Sequence, residues 1–222
     1  MERYKDIHRG QRCFIAGLGP SLKSVPIDKI NREIVFMCNR AWKCPEIRET
    51  YYVAEARTLF YDNAATIRDY NVPVVKFLPS TSRDLLPDYG KEVVWYNHDS
   101  KFYQDNEFPK FSLNPAEICH TGFNVMYTQM QIAAYMGFDE IYIVGVDFDY
   151  KEGNAKVEHA YETSGKDGYG GQKRDPNFVQ KAKNAYAIAN AVLNDKTTRI
   201  WNATDGGKLE AFPRIDLKEV LL

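Results

Sequence analysis

An apolar run that ends in two closely spaced glycines is the first stretch of the chain that could do chemistry. The run occupies residues 12–16, and a turn of small residues follows it: Gly17, Leu18, Gly19, Pro20 and Ser21. Glycine lets a backbone reverse without Cβ clashes, and the free N–H groups at a helix start attract phosphate. The pattern lacks the third glycine of the dinucleotide fingerprint and the lysine of a P-loop. We predict an anion-binding turn here, with an ordinary tight turn as the alternative.

Small and polar residues also follow other predicted strands. The set comprises Asn39, Arg40, Glu55, Thr121, Gly122, Asp147, Asp149 and the stretch 202–207. In an open parallel sheet the ligand lies beyond the carboxyl ends of the strands, which is where these residues would meet. A set with few fixed charges suits a nucleotide monophosphate with a sugar better than a triphosphate that needs lysine.

The stretch Asp147-Phe148-Asp149 has the Asp-x-Asp form by which many glycosyltransferases hold a divalent ion on a diphosphate. Carboxylate oxygens are suitable ligands for magnesium or manganese, and alternation along an extended chain would point both side chains the same way. The alternative is a strand-end acid that fixes the loop backbone. We favour that alternative and expect no metal or cofactor, so magnesium or manganese on Asp147 and Asp149 is the second possibility.

The elements that must position these residues alternate along the chain. Predicted strands occupy residues 12–16, 33–38, 51–54, 72–77, 141–146 and 198–201, and predicted helices occupy 57–70, 123–136 and 177–193. Such alternation implies right-handed crossovers and a mostly parallel sheet flanked by helices. We therefore expect one α/β, Rossmann-like domain over residues 1–222. The stretch 150–176 has almost no aliphatic residues, which predicts a lid inserted into that domain.

Composition excludes several classes of function. Lysine and arginine number 29 against 30 acidic residues, so no global basic field argues for a nucleic-acid partner. The four cysteines show no CxxC pairing, which favours a reduced cytoplasmic protein. No apolar run approaches the length that spans a membrane. Peripheral association with the inner membrane and a homo-oligomer both stay open.

The order of the blocks resembles the bacterial sialyltransferases that build lipooligosaccharide. The matching blocks are residues 16–23, 37–40, 121–122 and 145–148. They are also similar to a broader group of bacterial polysaccharide proteins related to the archaeal-type 6-hydroxymethylpterin diphosphokinases, which the stretch 202–207 resembles in particular. The sialyltransferase resemblance implies a Rossmann-like domain, a flexible lid, a CMP-sugar donor and no metal.

The same resemblance implies roles for single residues. Gly17, Gly19 and Ser21 would approach the donor phosphate or ribose, while Asn39 would bind the nucleotide. Thr121 and Gly122 would line the donor site. The family's catalytic histidine lies at the end of its lid, where this chain has residues 174–177 without a histidine. The nearest substitute is His159, farther back in the lid.

Glycosyl transfer needs a base near the acceptor hydroxyl and donors that stabilise the departing phosphate. His159 has a suitable ordinary pKa of about 6.5, and Tyr161 and Tyr169 could donate to the phosphate. A solvated lid residue is the alternative for His159. His120, beside Thr121, is a second candidate base that could equally orient the helix start. His8 and His98 have no supporting neighbours in the sequence.

These observations lead to one functional hypothesis and two alternatives. The hypothesis is a glycosyltransferase that moves a sugar from a nucleotide-sugar donor, with a CMP-sugar favoured, to a glycan or lipid-linked acceptor in surface polysaccharide biosynthesis. The first alternative is a pterin-type diphosphokinase that uses ATP and magnesium. The second is a nucleotide-binding module without catalysis.

Overall fold

A computed structural model describes residues 1–86, 92–99, 109–149, 159–161, 177–194 and 196–222. Within these ranges the strands are β1 (Arg12–Ala16), β2 (Val35–Cys38), β3 (Tyr51–Val53), β4 (Val75–Pro79), β5 (Val93–Tyr96), β6 (His98–Asp99), β7 (Cys119–His120), β8 (Glu140–Val144) and β9 (Arg199–Asn202). The α-helices are α1 (Ile27–Ile30), α2 (Arg57–Asp69), α3 (Val125–Tyr135), α4 (Phe178–Asn194) and α5 (Leu217–Val220).

Seven of the strands form one parallel sheet in the order β5-β4-β3-β2-β1-β8-β9. The chain moves outward from β1 to β5 and then returns to pair β8 with the free side of β1. The order therefore reverses between β1 and β8, whose last residues, Ala16 and Val144, are in register. This crevice at the carboxyl ends is where open α/β sheets bind ligands. The predicted Rossmann-like α/β fold is confirmed.

The central strands are buried on both faces. Cys13, Phe14 and Ile15 of β1 have no exposed surface, and neither do Ile141 and Ile143 of β8. Continuous apolar runs of this kind form when helices cover both sides of a parallel sheet. Helix α3 packs against this central region and is buried along almost its whole length. Its polar side chains must therefore find partners inside the protein.

One difference from the predicted strand boundaries has a clear physical cause. The fourth strand begins at Val75 and not at Val72, because Pro73 has no N–H to give to a strand ladder. Val72 and Val74 are accordingly 47% and 66% exposed. The predicted lid over 150–176 lies outside the described residues except for residues 159–161.

A small second sheet completes the carboxyl edge. Strands β6 and β7 pair in parallel, with His98 opposite Cys119 and Asp99 opposite His120. The sequence analysis did not predict this pairing, because two-residue strands have no periodicity to detect. No helix in the described ranges is both long and apolar enough to cross a membrane.

Candidate functional site

The glycine turn after β1 is pressed against the loop after β8. The Gly19 N–H donates to the carbonyl oxygen of Gly145 at 2.9 Å. A Cβ added to Gly17 would lie 2.5 Å from that same oxygen, and one added to Gly19 would lie 2.0 Å from Oδ2 of Asp147. Both distances are far inside van der Waals contact, so close approach of the two loops requires glycine here.

Asp147 fixes the start of the short helical turn Pro20–Ser24. Its Oδ2 accepts a hydrogen bond from Ser21 Oγ at 2.9 Å, and the Ser21 N–H lies 3.3 Å from both carboxylate oxygens. The N–H that we expected to be free for a phosphate therefore has an internal acceptor. A phosphate placed at this turn would also meet the negative charge of Asp147. The turn is thus one wall of the crevice, and the carboxylate of Asp147 gives this wall a negative charge.

The second acid of the Asp-x-Asp stretch has a different partner. Oδ1 of Asp149 accepts from Nζ of Lys208 at 2.6 Å, and Phe148 between the two acids has a left-handed φ of 51°. No three histidine, cysteine or acidic side chains in the described ranges are arranged to hold a metal ion. Each acid of this stretch is thus engaged by another side chain, Asp147 by Ser21 and Asp149 by Lys208.

Residues 159–161, the described part of the predicted lid, contact the glycine turn. The Ala160 N–H donates to the Leu18 carbonyl at 2.8 Å. The rings of His159 and Tyr161 stack at 4.8 Å, and the ammonium of Lys43 lies 5.1 Å from the centre of the Tyr161 ring. This contact brings His159 and Tyr161 to the carboxyl edge of the sheet. Tyr169 lies outside the described residues.

Asn39, directly after β2, has a strained backbone and an unpaired side-chain oxygen. Its φ is 46°, a left-handed value that asparagine tolerates better than most residues. Its carbonyl accepts from the Tyr52 hydroxyl at 2.6 Å. Its Oδ1 is buried and has no hydrogen-bond partner among the described residues. A buried unpaired acceptor is costly, so Asn39 is suited to a ligand that brings a donor. Arg40 follows it in the chain.

A buried carboxylate occupies the end of β3. Oε1 of Glu55 accepts from Thr121 Oγ1 at 2.7 Å, and Oε2 accepts from Thr128 Oγ1 at 3.1 Å. Nε2 of His98 lies 3.2 Å from Oε1, which is an ion-pair distance without the alignment of a hydrogen bond. The expectation that His98 has no supporting neighbour is wrong, because β6 carries it back to the end of β3.

His120 lies on the neighbouring strand with its own carboxylate. Its Nδ1 is 3.4 Å from Oδ2 of Asp99, and its side chain is 12% exposed. Burial lowers the pKa of His120, and the charge of Asp99 offsets only part of that effect. A histidine held largely neutral beside a carboxylate can accept a proton. His120 therefore has the environment of a base.

The fully buried Gln131 holds the backbone at His120. Its Oε1 accepts from the His120 N–H at 3.0 Å, and its Nε2 donates to the His120 carbonyl at 2.8 Å. Oε1 also accepts from the Ser112 N–H at 2.9 Å. The sequence predicted this segment as a helix without a role for Gln131. Polar residues among the apolar ones of the helix, Thr128, Gln129 and Gln131, were the signal that could have revealed it.

His8 is excluded from the site. It lies at the amino edge of the sheet, where Nε2 contacts the Tyr51 hydroxyl at 2.7 Å and the ring stacks on Phe138 at 4.4 Å. These contacts pack the N-terminal segment against the sheet. The carboxyl edge thus brings together the glycine turn and the expected residues Asn39, Glu55, Thr121, Asp147 and His159, and His98 is the addition.

Comparison with known proteins agrees with this topology. The model of a family described as 6-hydroxymethylpterin diphosphokinase MptE-like matches residues 1–153, which is more than half of the chain. No curated protein sequence matches the chain. The matched region ends just after the Asp-x-Asp stretch, so it includes every strand except β9.

Two solved structures share the fold. The MAf glycosyltransferase from Magnetospirillum magneticum AMB-1 superposes with a TM-score of 0.60 at 16% identity, over 96% of this chain and 37% of that chain. The sialyltransferase CstII from Campylobacter jejuni, in complex with the substrate analogue cytidine-5'-monophosphate, gives 0.55 at 20% identity, over 93% of this chain and 85% of that one. This chain therefore spans little more than a third of the first protein. At these identities the likeness is one of fold.

Proposed function

Because the chain belongs to the MptE-like family, we propose that its crevice binds a nucleotide and that the protein is a nucleotide-dependent transferase. The reaction we favour is transfer of a sugar from a nucleotide-sugar, with a CMP-sugar as the donor. The acceptor is a glycan or a lipid-linked glycan in surface polysaccharide biosynthesis. Of the two solved structures that share the fold, one is of a glycosyltransferase and the other is of a sialyltransferase in complex with CMP.

The observation that carries this proposal is the contact between the lid and the glycine turn. The Ala160 N–H bonded to Leu18 brings a histidine to the crevice where α/β sheets bind nucleotides. In this mechanism His159 removes the proton of the acceptor hydroxyl as that oxygen attacks the anomeric carbon. The bond from the sugar to the phosphate then breaks, and the phosphate carries away the electron pair. Tyr161 and Tyr169 donate hydrogen bonds to that phosphate.

His120 is the second candidate base. It lies beside Thr121 on β7, and Asp99 and Gln131 fix its ring and its backbone respectively. A base works only within hydrogen-bond reach of the proton that it removes. The two histidines come from different segments, so substituting each one separately identifies which serves the acceptor.

The unpaired Oδ1 of Asn39 supports a cytosine base. It needs a donor, and the exocyclic amino group of cytosine supplies one, whereas uracil presents an acceptor at the equivalent position. An unpaired acceptor facing another acceptor is unfavourable on both sides. We therefore expect CMP to bind more tightly than UMP or UDP.

The family description favours a second candidate, pyrophosphoryl transfer from ATP with magnesium. That chemistry needs carboxylates that hold the metal against the phosphates. Asp147 and Asp149, the two acids of the Asp-x-Asp stretch, bind Ser21 and Lys208 instead. We place this reaction second for that reason. A nucleotide-binding module without catalysis is the third candidate.

Calorimetry with CMP, UDP, GDP and ATP, each with and without magnesium, separates the candidates. We expect CMP to bind without magnesium, and binding of ATP that requires magnesium would favour the second candidate. Release of CMP from a CMP-sugar then tests catalysis. His159→Ala should lower that rate by about a hundredfold or more, with His120→Ala as the parallel variant and His8→Ala as the control. Binding of CMP without any release would leave only the nucleotide-binding module.

A further inference from the structure

We infer that Glu55 is a positioning residue whose carboxylate, together with His98, holds the Thr121–Asn124 loop in its ligand-binding conformation. The inference rests on the proposed function in one respect, since it takes this loop to line the nucleotide site. The loop carries Thr121 and Gly122, which were predicted from the sequence to line the donor site.

The Glu55 carboxylate joins three segments that are distant in the sequence. It follows β3 directly, while Thr121 lies in the loop after β7, Thr128 lies in α3, and His98 lies in β6. The side chains of Glu55 and His98 are only 11% and 7% exposed. One buried group therefore ties the loop and the second sheet to the end of β3. Removing the Glu55 carboxylate would leave the hydroxyl groups of Thr121 and Thr128 without their acceptor and His98 without its ion-pair partner.

The far side of the loop is already fixed by packing on α3. Phe123 has a left-handed φ of 68°, and Asn124 Oδ1 accepts from the Tyr127 N–H at 3.3 Å and the Tyr186 hydroxyl at 2.9 Å. A Cβ added to Gly122 would lie 2.1 Å from the Tyr127 ring. The near side depends on the hydrogen bond from Thr121 to Glu55. Glu55 is therefore the group that decides where Thr121 and Gly122 lie relative to the crevice.

The two partners are charged over a limited range of pH. Burial by itself raises the pKa of Glu55, but His98 and the two threonine hydroxyls together lower it. Burial by itself lowers the pKa of His98, but the Glu55 carboxylate and the charge of Asp99 raise it. The pair is thus fully charged at a pH above the ordinary carboxyl pKa and below the ordinary histidine pKa. As pH rises through the raised pKa of His98, the imidazolium is lost and the pair weakens.

The groups that face His98 or its partner Glu55 come from five elements. Glu55 follows β3, Tyr96 of β5 contacts the imidazole edge-on at 5.9 Å, Asp99 is its neighbour on β6, and His120 on β7 is close enough for its own pKa to respond to His98. Helix α3 contributes the neutral Thr128. Two acidic side chains, Glu55 and Asp99, face His98, whereas His120 is the one other histidine named here. The surrounding charge therefore favours the protonated imidazole of His98.

Hydrogen exchange of residues 119–124, corrected for intrinsic rates, tests the inference at about pH 6 and at a higher pH, above the raised pKa of His98, which NMR titration of its ring locates. We expect wild-type exchange to be several-fold faster at the higher pH. In Glu55→Gln, which keeps the shape but removes the charge, exchange should be fast at both pH values. The double variant with His98→Gln places two amides together, and it should restore slow exchange that no longer depends on pH. Glu46→Gln, at an exposed position, is the matched control.

CMP affinity provides the second readout. We expect Glu55→Gln to weaken binding about tenfold, or about 1.4 kcal/mol, and Thr121→Val to weaken it similarly while leaving the charged pair in place. Thr121→Val also serves if Glu55→Gln does not fold. Unchanged exchange of 119–124 in both variants would overturn the inference. If the wild type binds no nucleotide, the proposed function fails, and the exchange data alone still decide whether Glu55 holds the loop.

Discussion

The two edges of the sheet are built in different ways. At the carboxyl edge, acidic side chains that are at least partly buried accept hydrogen bonds from hydroxyl groups of other segments, as Glu55 does from Thr121 and Asp147 from Ser21. At the amino edge, ion pairs lie at the surface. Arg9, for example, pairs with Asp6, and its side chain is 76% exposed. The buried Glu49, just before β3, is an exception at this edge. Shielded acids held by donors from several segments are typical of a functional site.

A groove of about 540 Å³ opens at the amino edge, and Lys5, Arg9, Asp139 and Lys196 are among the residues that line it. Its charges are mixed and belong to long surface side chains, which hold a ligand poorly. At the carboxyl edge, by contrast, the glycine turn lies so close to Gly145 and Asp147 that these groups have little freedom of position. The geometry of the partners, and not the presence of a groove, distinguishes the candidate site.

The largest effect on stability should come from Gln131 at the carboxyl edge. Gln131→Ala leaves the His120 N–H, the His120 carbonyl and the Ser112 N–H without their buried partner. Each unpaired backbone group costs roughly 1 to 3 kcal/mol, so we expect a loss of about 3 kcal/mol. Denaturation in urea measures it. Because Gln131 also orients His120, the CMP-release rate should fall if that histidine is the base.

The matched control is Gln11→Ala at the amino edge. Gln11 is exposed, and its Oε1 contacts Nδ1 of His8 at 2.5 Å. An exposed hydrogen bond of this kind contributes about 0.5 to 1 kcal/mol. Equal losses for the two glutamine variants would contradict the difference between the edges.

The second prediction compares two glycines. Gly19→Ala places a methyl group on the Asp147 carboxylate, so the turn after β1 must separate from the loop after β8. We expect a loss of about 2 kcal/mol, as for other overpacked positions, together with loss of CMP binding. Gly10→Ala meets no atom within 4 Å and is strained only by its φ of 77°, which costs about 1 to 2 kcal/mol. Gly10→Ala should therefore bind CMP normally, and equal loss of binding in both would show that general instability is the cause.

The sheet could be predicted from the sequence because its signals are local. Apolar runs such as residues 12–16 and 141–146 stand out by composition, and their alternation with helices fixes a parallel order. Two of the site's anchors, the glycine turn and Asp147, follow from the same rule, because they stand where predicted strands end. The family resemblance read from these blocks agrees with the match over residues 1–153.

The contacts among Glu55, His98 and Thr121 could not be predicted in this way. These residues meet only because β6 and β7 pair, and no pattern in the sequence indicates two-residue strands. Likewise, the partner of Asp147 depends on how closely two glycine-containing loops approach each other. The sequence favoured a loop-fixing role for this acid over a metal-binding one, but it could not identify Ser21 as the partner. Contacts between distant segments thus determine the hydrogen bonds and charges of the site, while local sequence patterns determine the strands and helices that position it.

The smallest effect should come from the ion pair between Arg12 and Glu33 at the amino edge. The two side chains are 2.7 Å apart and 37% and 19% exposed, so solvent screens much of their attraction. A double-mutant cycle with Arg12→Ala and Glu33→Ala cancels the other contacts of Arg12 and should give a coupling energy below about 1 kcal/mol. Added salt at about 1 M should remove most of it. The same cycle with Ser21→Ala and Asp147→Ala should give about 1.5 to 3 kcal/mol, because a hydrogen bond to a charged and shielded carboxylate is stronger. A larger coupling at the amino edge than at the carboxyl edge would overturn the distinction between the two.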